Sequence, residues 1–154
     1  MDIWLQEYGV SHQNPVNKTI HWICVPVIVF SLLGMLWSAT PAALLSVSPW
    51  LNFATLFVSV TLVFYLRLSV MIATGFVMVA AIMLAGNYTL LNMLGSKAQL
   101  FIFSVVLFVV AWIGQFIGHK IEGAKPSFFK DMQFLLVGPA WLLHFIYKKL
   151  GISY

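Results

Sequence analysis

A chain of 154 residues that is 62% hydrophobic and only 8% charged has too little polar surface to cover a water-soluble fold, so its apolar residues belong in a bilayer. The length admits a single membrane-embedded domain, 1–154, of four or five segments with ~20 apolar residues each. The formal charge of +4 comes from basic residues scattered singly at the ends of apolar runs, which are topology signals and not a nucleic-acid surface. Cys24 is the single cysteine and stands inside an apolar run, which excludes an intrachain disulfide and multi-thiolate iron–sulfur or zinc sites.

At the N-terminus, Asp2 and Glu7 oppose Lys18, and the apolar run that follows is longer than a signal-peptide core, so it is expected to be kept as a span. Asn14-Pro15 marks a helix start, because asparagine caps open amides and proline is tolerated at the first helical position. Four candidate transmembrane helices follow, at about residues 20–37, 50–66, 68–84 and 100–118. Turn residues at 38–41 and 46–49 separate the first two, Arg67 alone separates the second from the third, and Gly95-Ser96-Lys97 precedes the fourth. The tail, residues 132–147, is apolar but short and is interrupted by Gly138-Pro139, which predicts a re-entrant or interfacial pair of short helices closed by Lys148 and Lys149. The expected fold is all-α: a polytopic membrane bundle of four transmembrane helices plus this short C-terminal segment.

A cytoplasmic N-terminus puts Lys18, Arg67, Lys120, Lys125, Lys130, Lys148 and Lys149 inside and only Lys97 outside, which places both termini in the cytoplasm. An even number of spans then returns His12, His21, His119 and Glu122 to one membrane face, with His144 on the same side or just below it. Trp4, Tyr8, Trp22, Trp37, Trp50, Trp112 and Trp141 mostly flank the spans and read as anchors in the interfacial belt.

Asn17 and His21 stand one turn apart on a helix face, and the loop before them can fold His12 back over it. Gln115, His119 and Glu122 share another face; a histidine and a carboxylate one turn apart can reach one metal ion, and an amide buried at Gln115 needs a partner such as a ligand histidine. Gly114 and Gly118 form a small-xxx-small pair that permits close helix approach. Each residue also has an ordinary reading: interfacial histidines cost little, and Glu122 can pair with Lys125 or Lys18. Imidazole and carboxylate donors suit non-haem iron and zinc alike. Zinc would make the chain a membrane lipid hydrolase with Glu122 as base, and a non-catalytic transporter or packing protein is a third reading.

Two blocks carry a resemblance that runs from Tyr8 to about Gly151: Tyr8-x-x-x-His12-x-Asn14-x-x-Asn17-x-x-x-His21-x-x-x-x-Pro26, and Gln115-Phe116-x-Gly118-His119 followed by an acidic residue and Pro126. The chain resembles a family of small membrane proteins, long catalogued as a domain of unknown function, that includes the yeast 2-hydroxy fatty acid dioxygenase. The resemblance implies an iron(II)-dependent enzyme that shortens a 2-hydroxy fatty acid by one carbon, taking up dioxygen and releasing carbon dioxide. It also implies that His12, His21 and His119 hold Fe(2+), to which topology adds His144. Glu122 is a candidate catalytic group although it stands one position nearer to His119 than in the family pattern, and Asn14, Asn17 and Gln115 are candidates for holding the cofactor site. The expected partners are the 2-hydroxy fatty acid, dioxygen and membrane lipid, with an oligomer left open. The expected location is a bacterial inner membrane, or the endoplasmic reticulum for a eukaryotic chain.

Overall fold

The computed structural model of the chain describes residues 13–123 and 137–152. Among these residues there are six helices and no strand: α1 Pro15–Ser38, α2 Ala42–Val47, α3 Phe53–Leu68, α4 Val70–Leu94, α5 Lys97–Glu122 and α6 Val137–Leu150. Short polar side chains start the long ones by accepting from open backbone amides. Asn14 Oδ1 accepts from Val16 N at 2.9 Å with Pro15 in the first helical position, and Asn52 Oδ1 accepts from Thr55 N at 2.9 Å. Ser69 is the whole connection between α3 and α4, with φ −166° and its hydroxyl turned to Ile72 N. Gly95 and Gly123 stop α4 and α5 in the left-handed region, at φ 77° and 75°, where a side chain would be strained.

Three of these helices, α1, α4 and α5, are long and apolar enough to cross a membrane. The sequence pattern had suggested four spans, but α3 has 16 residues and so measures about 24 Å against ~30 Å of hydrocarbon core. The third expected span ends at residue 84, whereas α4 runs on to Leu94 through Asn87, which is fully buried. The amide of Asn87 donates to the carbonyls of Phe30 and Met83 at 3.1 and 3.0 Å, so a residue that looks like a boundary is a cross-link between α4 and α1. Gly138-Pro139 also lies differently from expectation: it occupies the first turn of α6, where a missing amide removes no helix bond, and does not interrupt the helix. Residues 132–136 lie outside the described residues.

The bundle is organised around α1 and α5, which pack antiparallel along their length. Glycine lets the two backbones approach. A Cβ at Gly34 would collide with Ser104 Oγ and Asn87 Oδ1, one at Gly118 with Asn17 Oδ1, and one at Gly114 would stand 2.7 Å from Cys24 Sγ. At each level a small side chain from the opposite helix fills the space that a Cβ would need, the packing that membrane helices use when lipid is as apolar as their own surfaces. Between these levels Ile28 meets Ala111 and Trp112. The α3–α4 hairpin lies against α1, with Tyr65 and Phe76 in ring contact at 4.5 Å. Outside it sits α6, whose Tyr147 hydroxyl donates to the Met71 carbonyl at 2.7 Å over Gly75.

At the far end of α1, Thr40 ties three elements together. Its hydroxyl accepts from Phe53 N at 3.0 Å and its carbonyl accepts from Lys97 Nζ at 2.7 Å. Trp37, Trp50 and Tyr88 stack beside it. The tryptophans therefore divide differently from the expected belt. Trp37, Trp112 and Trp141 are buried packing residues, whereas Trp22 and Trp50 are partly exposed; Trp4 lies outside the described residues.

The seam makes a graded expectation. Gly34→Ala must push Ser104 and Asn87 aside and is expected to lower unfolding free energy by about 1–3 kcal/mol. Gly86→Ala meets only the ring edge of Phe30, at 3.1 Å, and should cost less. Denaturant titration of the two variants in detergent measures the difference.

Candidate functional site

The start of α1 and the end of α5 meet at one end of the bundle because the helices are antiparallel, and the polar residues singled out by the sequence converge there. Asn17, His21, Gln115 and His119 are all buried, with exposures of 0%, 1%, 5% and 4%. The imidazoles of His21 and His119 lie edge to face, with centroids 5.0 Å apart and planes at 83°. Two buried imidazoles in contact within an apolar bundle are an expensive arrangement unless their ring nitrogens are used.

The tautomer of His21 follows from its surroundings. Its Nδ1 lies 3.0 Å from the carbonyl oxygen of Asn17, one turn earlier on α1. A carbonyl can only accept, so Nδ1 carries the proton and the neutral ring has its lone pair on Nε2. This is the arrangement that metal-binding histidines use: one nitrogen donates to a backbone carbonyl, which fixes the ring and leaves the other as the donor to the ion. Two imidazoles on one first-row metal ion have centroids about 4.5–5.5 Å apart, given metal–nitrogen bonds of about 2.0–2.1 Å. The observed spacing falls in that range. Gln115 stands one turn before His119, and its Oε1 is a buried acceptor with no hydrogen-bond partner among the described residues.

Glu122 does something the sequence did not indicate. Its Oε1 accepts from the backbone amides of Gln13 and Asn14, at 2.7 and 3.1 Å. Its Oε2 accepts from Asn14 N at 2.9 Å and from Asn17 Nδ2 at 3.0 Å. A carboxylate at the positive end of α1 satisfies amides left open by the helix start and is favoured by the helix dipole. Through Asn17 the contact continues to the His21 ring. Asn14 caps α1 with its side chain and meets Glu122 with its backbone, so Asn14 and Asn17 both lie in the hydrogen-bonded frame around the histidines.

His144 lies on α6 at the same end, partly buried and in edge contact with Phe145 at 5.4 Å, while Phe145 reaches Trp22 of α1. His12 lies outside the described residues. Among the described residues the structure thus brings His21 and His119 together, and no group of three histidine, cysteine or acidic side chains is placed to hold a metal. Sequence reasoning passed over Gln13, whose backbone amide completes the Glu122 contact, and no side-chain pattern could have shown it.

Removing the carboxylate isolates this contact. Glu122→Ala leaves the amides of Gln13 and Asn14 and the side chain of Asn17 without their acceptor, and is expected to lower stability by about 2–4 kcal/mol. Thermal unfolding in detergent, followed by circular dichroism, checks it.

Comparison with known proteins extends this picture to the whole chain. No curated protein and no solved structure matches it significantly. A protein-family model described as "2-hydroxy-palmitic acid dioxygenase Mpo1-like" matches residues 1–150. That match covers both histidine blocks and every described helix, and the chain therefore belongs to the Mpo1-like family.

Proposed function

We propose that the protein is a membrane-embedded non-haem iron oxygenase that shortens 2-hydroxy fatty acids by one carbon. The observation that carries the reading is the buried His21–His119 pair, with His21 held by the Asn17 carbonyl in the tautomer a metal needs. The family description supplies the substrate class. The overall reaction balances without an outside reductant: a 2-hydroxy acid and one dioxygen give the acid one carbon shorter, carbon dioxide and water.

In this reading His21 and His119 hold iron(II) together with His12, and His144 is a further candidate from α6. Bound iron would supply the activation of dioxygen and a site for the hydroxyl and carboxylate of the substrate. The other residues prepare that site. Asn17 orients the His21 ring through its carbonyl and passes the Glu122 contact to it through its side chain. Glu122 fixes the backbone at Gln13 and Asn14, directly after His12, and so acts as a positioning residue for the segment that brings in the third histidine. Gln115 offers a buried acceptor one turn from His119. The helices exclude bulk water, which protects the oxidation from side reactions.

The same reading places the histidine end on the cytoplasmic side. Lys18, Arg67, Lys120, Lys148 and Lys149 all belong to that end of the bundle and Lys97 to the other. With the residues before Phe53 completing its passage, α3 is the fourth crossing. Lys18 and Lys120 are near enough in sequence to His21 and His119 to neutralise the substrate carboxylate at the membrane surface.

Purified protein reconstituted with iron(II) is expected to consume one dioxygen and release one carbon dioxide for each 2-hydroxypalmitate. Zinc loading should give no turnover, and oxygen-independent turnover would instead mean a hydrolase. His21→Ala and His119→Ala are each expected to lose bound iron and at least a hundredfold in kcat/KM, about the upper range for a lost ligand or ligand support. Full metal content and full rate in either variant would sink the proposal.

A further inference from the structure

Between α1, α3, α4 and α6 lies a cavity of about 160 Å³ whose lining is apolar apart from Thr61 and Tyr65. On α1 its wall is formed by Trp22, Pro26, Val29 and Leu33, a single stripe at helical spacing. That stripe is about 16 Å long at 1.5 Å per residue, so the volume is a narrow slot and not a chamber. The slot reaches the level of the histidines along α1 and α6 without being lined by them: Trp22 follows His21 directly, and Ile146 of α6, also in its wall, lies two residues after His144. It runs from there toward mid-bundle, where Leu33, Phe57 and Met83 line its far end. A slot of this size with so few polar groups does not hold ordered water well, and its natural occupant is hydrocarbon.

We propose that this slot takes the unbranched hydrocarbon tail of the 2-hydroxy acid, and that Leu33, Phe57 and Met83 limit the tail length the enzyme accepts. The inference rests on the oxygenase reading for the identity of the head group. Its own support is geometric. A tail entering at Trp22 keeps its first carbons one residue along α1 from His21 and its last ones in apolar surroundings that suit a saturated chain. The outer face of α5, by contrast, offers exposed aliphatic side chains such as Val106 and Ile113 and takes no part in the slot's wall.

A 2-hydroxypalmitate analogue with a photoactivatable diazirine at the tail end tests the placement without any turnover. In iron-loaded full-length protein in phospholipid nanodiscs, the label is expected on peptides bearing Phe57 or Met83, and excess 2-hydroxypalmitate should suppress it. Labelling of Val106 or Ile113 instead would overturn the proposal. So would slot labelling that 2-hydroxypalmitate fails to suppress, since an ordinary lipid chain would then be the occupant.

Chain-length profiles give the second arm. Ala80→Leu fills the slot partway and should shift the ratio of kcat/KM values for 2-hydroxypalmitate over 2-hydroxyoctanoate downward, by about fourfold for each methylene excluded. Should that variant fail to fold, Met83→Ala opens the far end and is expected to move the preference toward longer chains. An unchanged ratio in the folded variants counts against the slot. If no 2-hydroxy acid is oxidised at all, the oxygenase reading fails, and the labelling pattern still decides where the tail lies.

Discussion

The close antiparallel contact of α1 and α5 is the constraint on which the rest of the structure depends. Lipid gives helices no hydrophobic reason to associate, so contact must come from backbones near enough for dispersion and weak Cα–H···O interactions. Gly34, Gly114 and Gly118 allow that approach, each opposite a small side chain of the neighbouring helix. Because the helices are antiparallel, the approach also sets the register of their ends. Asn17 comes to rest on Gly118, and this places His21 against His119.

Charge follows the same logic at both ends of the pair. Glu122 is the last residue of α5, where its own helix dipole disfavours an acid, and Lys97 is the first, where the dipole disfavours a base. Each is matched to the other helix instead. Glu122 meets the open amides at the start of α1, and Lys97 donates to the Thr40 carbonyl just beyond its end. The two charged contacts clamp the glycine seam at both ends, and one of them is also the support for the histidine pair. Stability and the candidate chemistry therefore share residues, which explains why Asn17 carries bonds in both directions.

In the proposed reading, the slot between α1, α3, α4 and α6 would be the second half of a lipid-handling site. A polar centre at the membrane surface can hold a head group, but the hydrocarbon attached to it needs a path that is neither water nor protein core. Pro26 fits this division: it lines the slot, and its ring removes the amide that would otherwise pair with the Trp22 carbonyl at the slot's entrance. The short α6 closes one side through Leu142 and Leu143 and is held in place by the Tyr147 bond to α4.

Composition alone pointed to a bilayer, because 62% hydrophobic residues are hard to cover in water, and three helices long and apolar enough to cross one are compatible with that reading. Local chemistry determined the start of α1 at Asn14-Pro15 and the break at Gly95, since caps and turns act over a few residues, whereas the break expected at Arg67 falls at Ser69, because Arg67 continues the last turn of α3 and the Ser69 hydroxyl caps α4. His21 and His119 were legible as neighbours because they stand near the start and the end of apolar runs that return to one end of the bundle. Other features were decided only by tertiary structure. Asn87 extends α4 where the sequence suggests a boundary, since its amide finds carbonyls 57 and 4 residues away. Trp37, Trp112 and Trp141 turn inward, since ring burial depends on which neighbour stands opposite. Besides the Asn17 side chain, Glu122 is met by backbone amides more than 100 residues distant, and amides are present at every position and so leave no trace in side-chain pattern. A sequence specifies which groups need satisfying, whereas the packing of helices decides which groups are near enough to satisfy them.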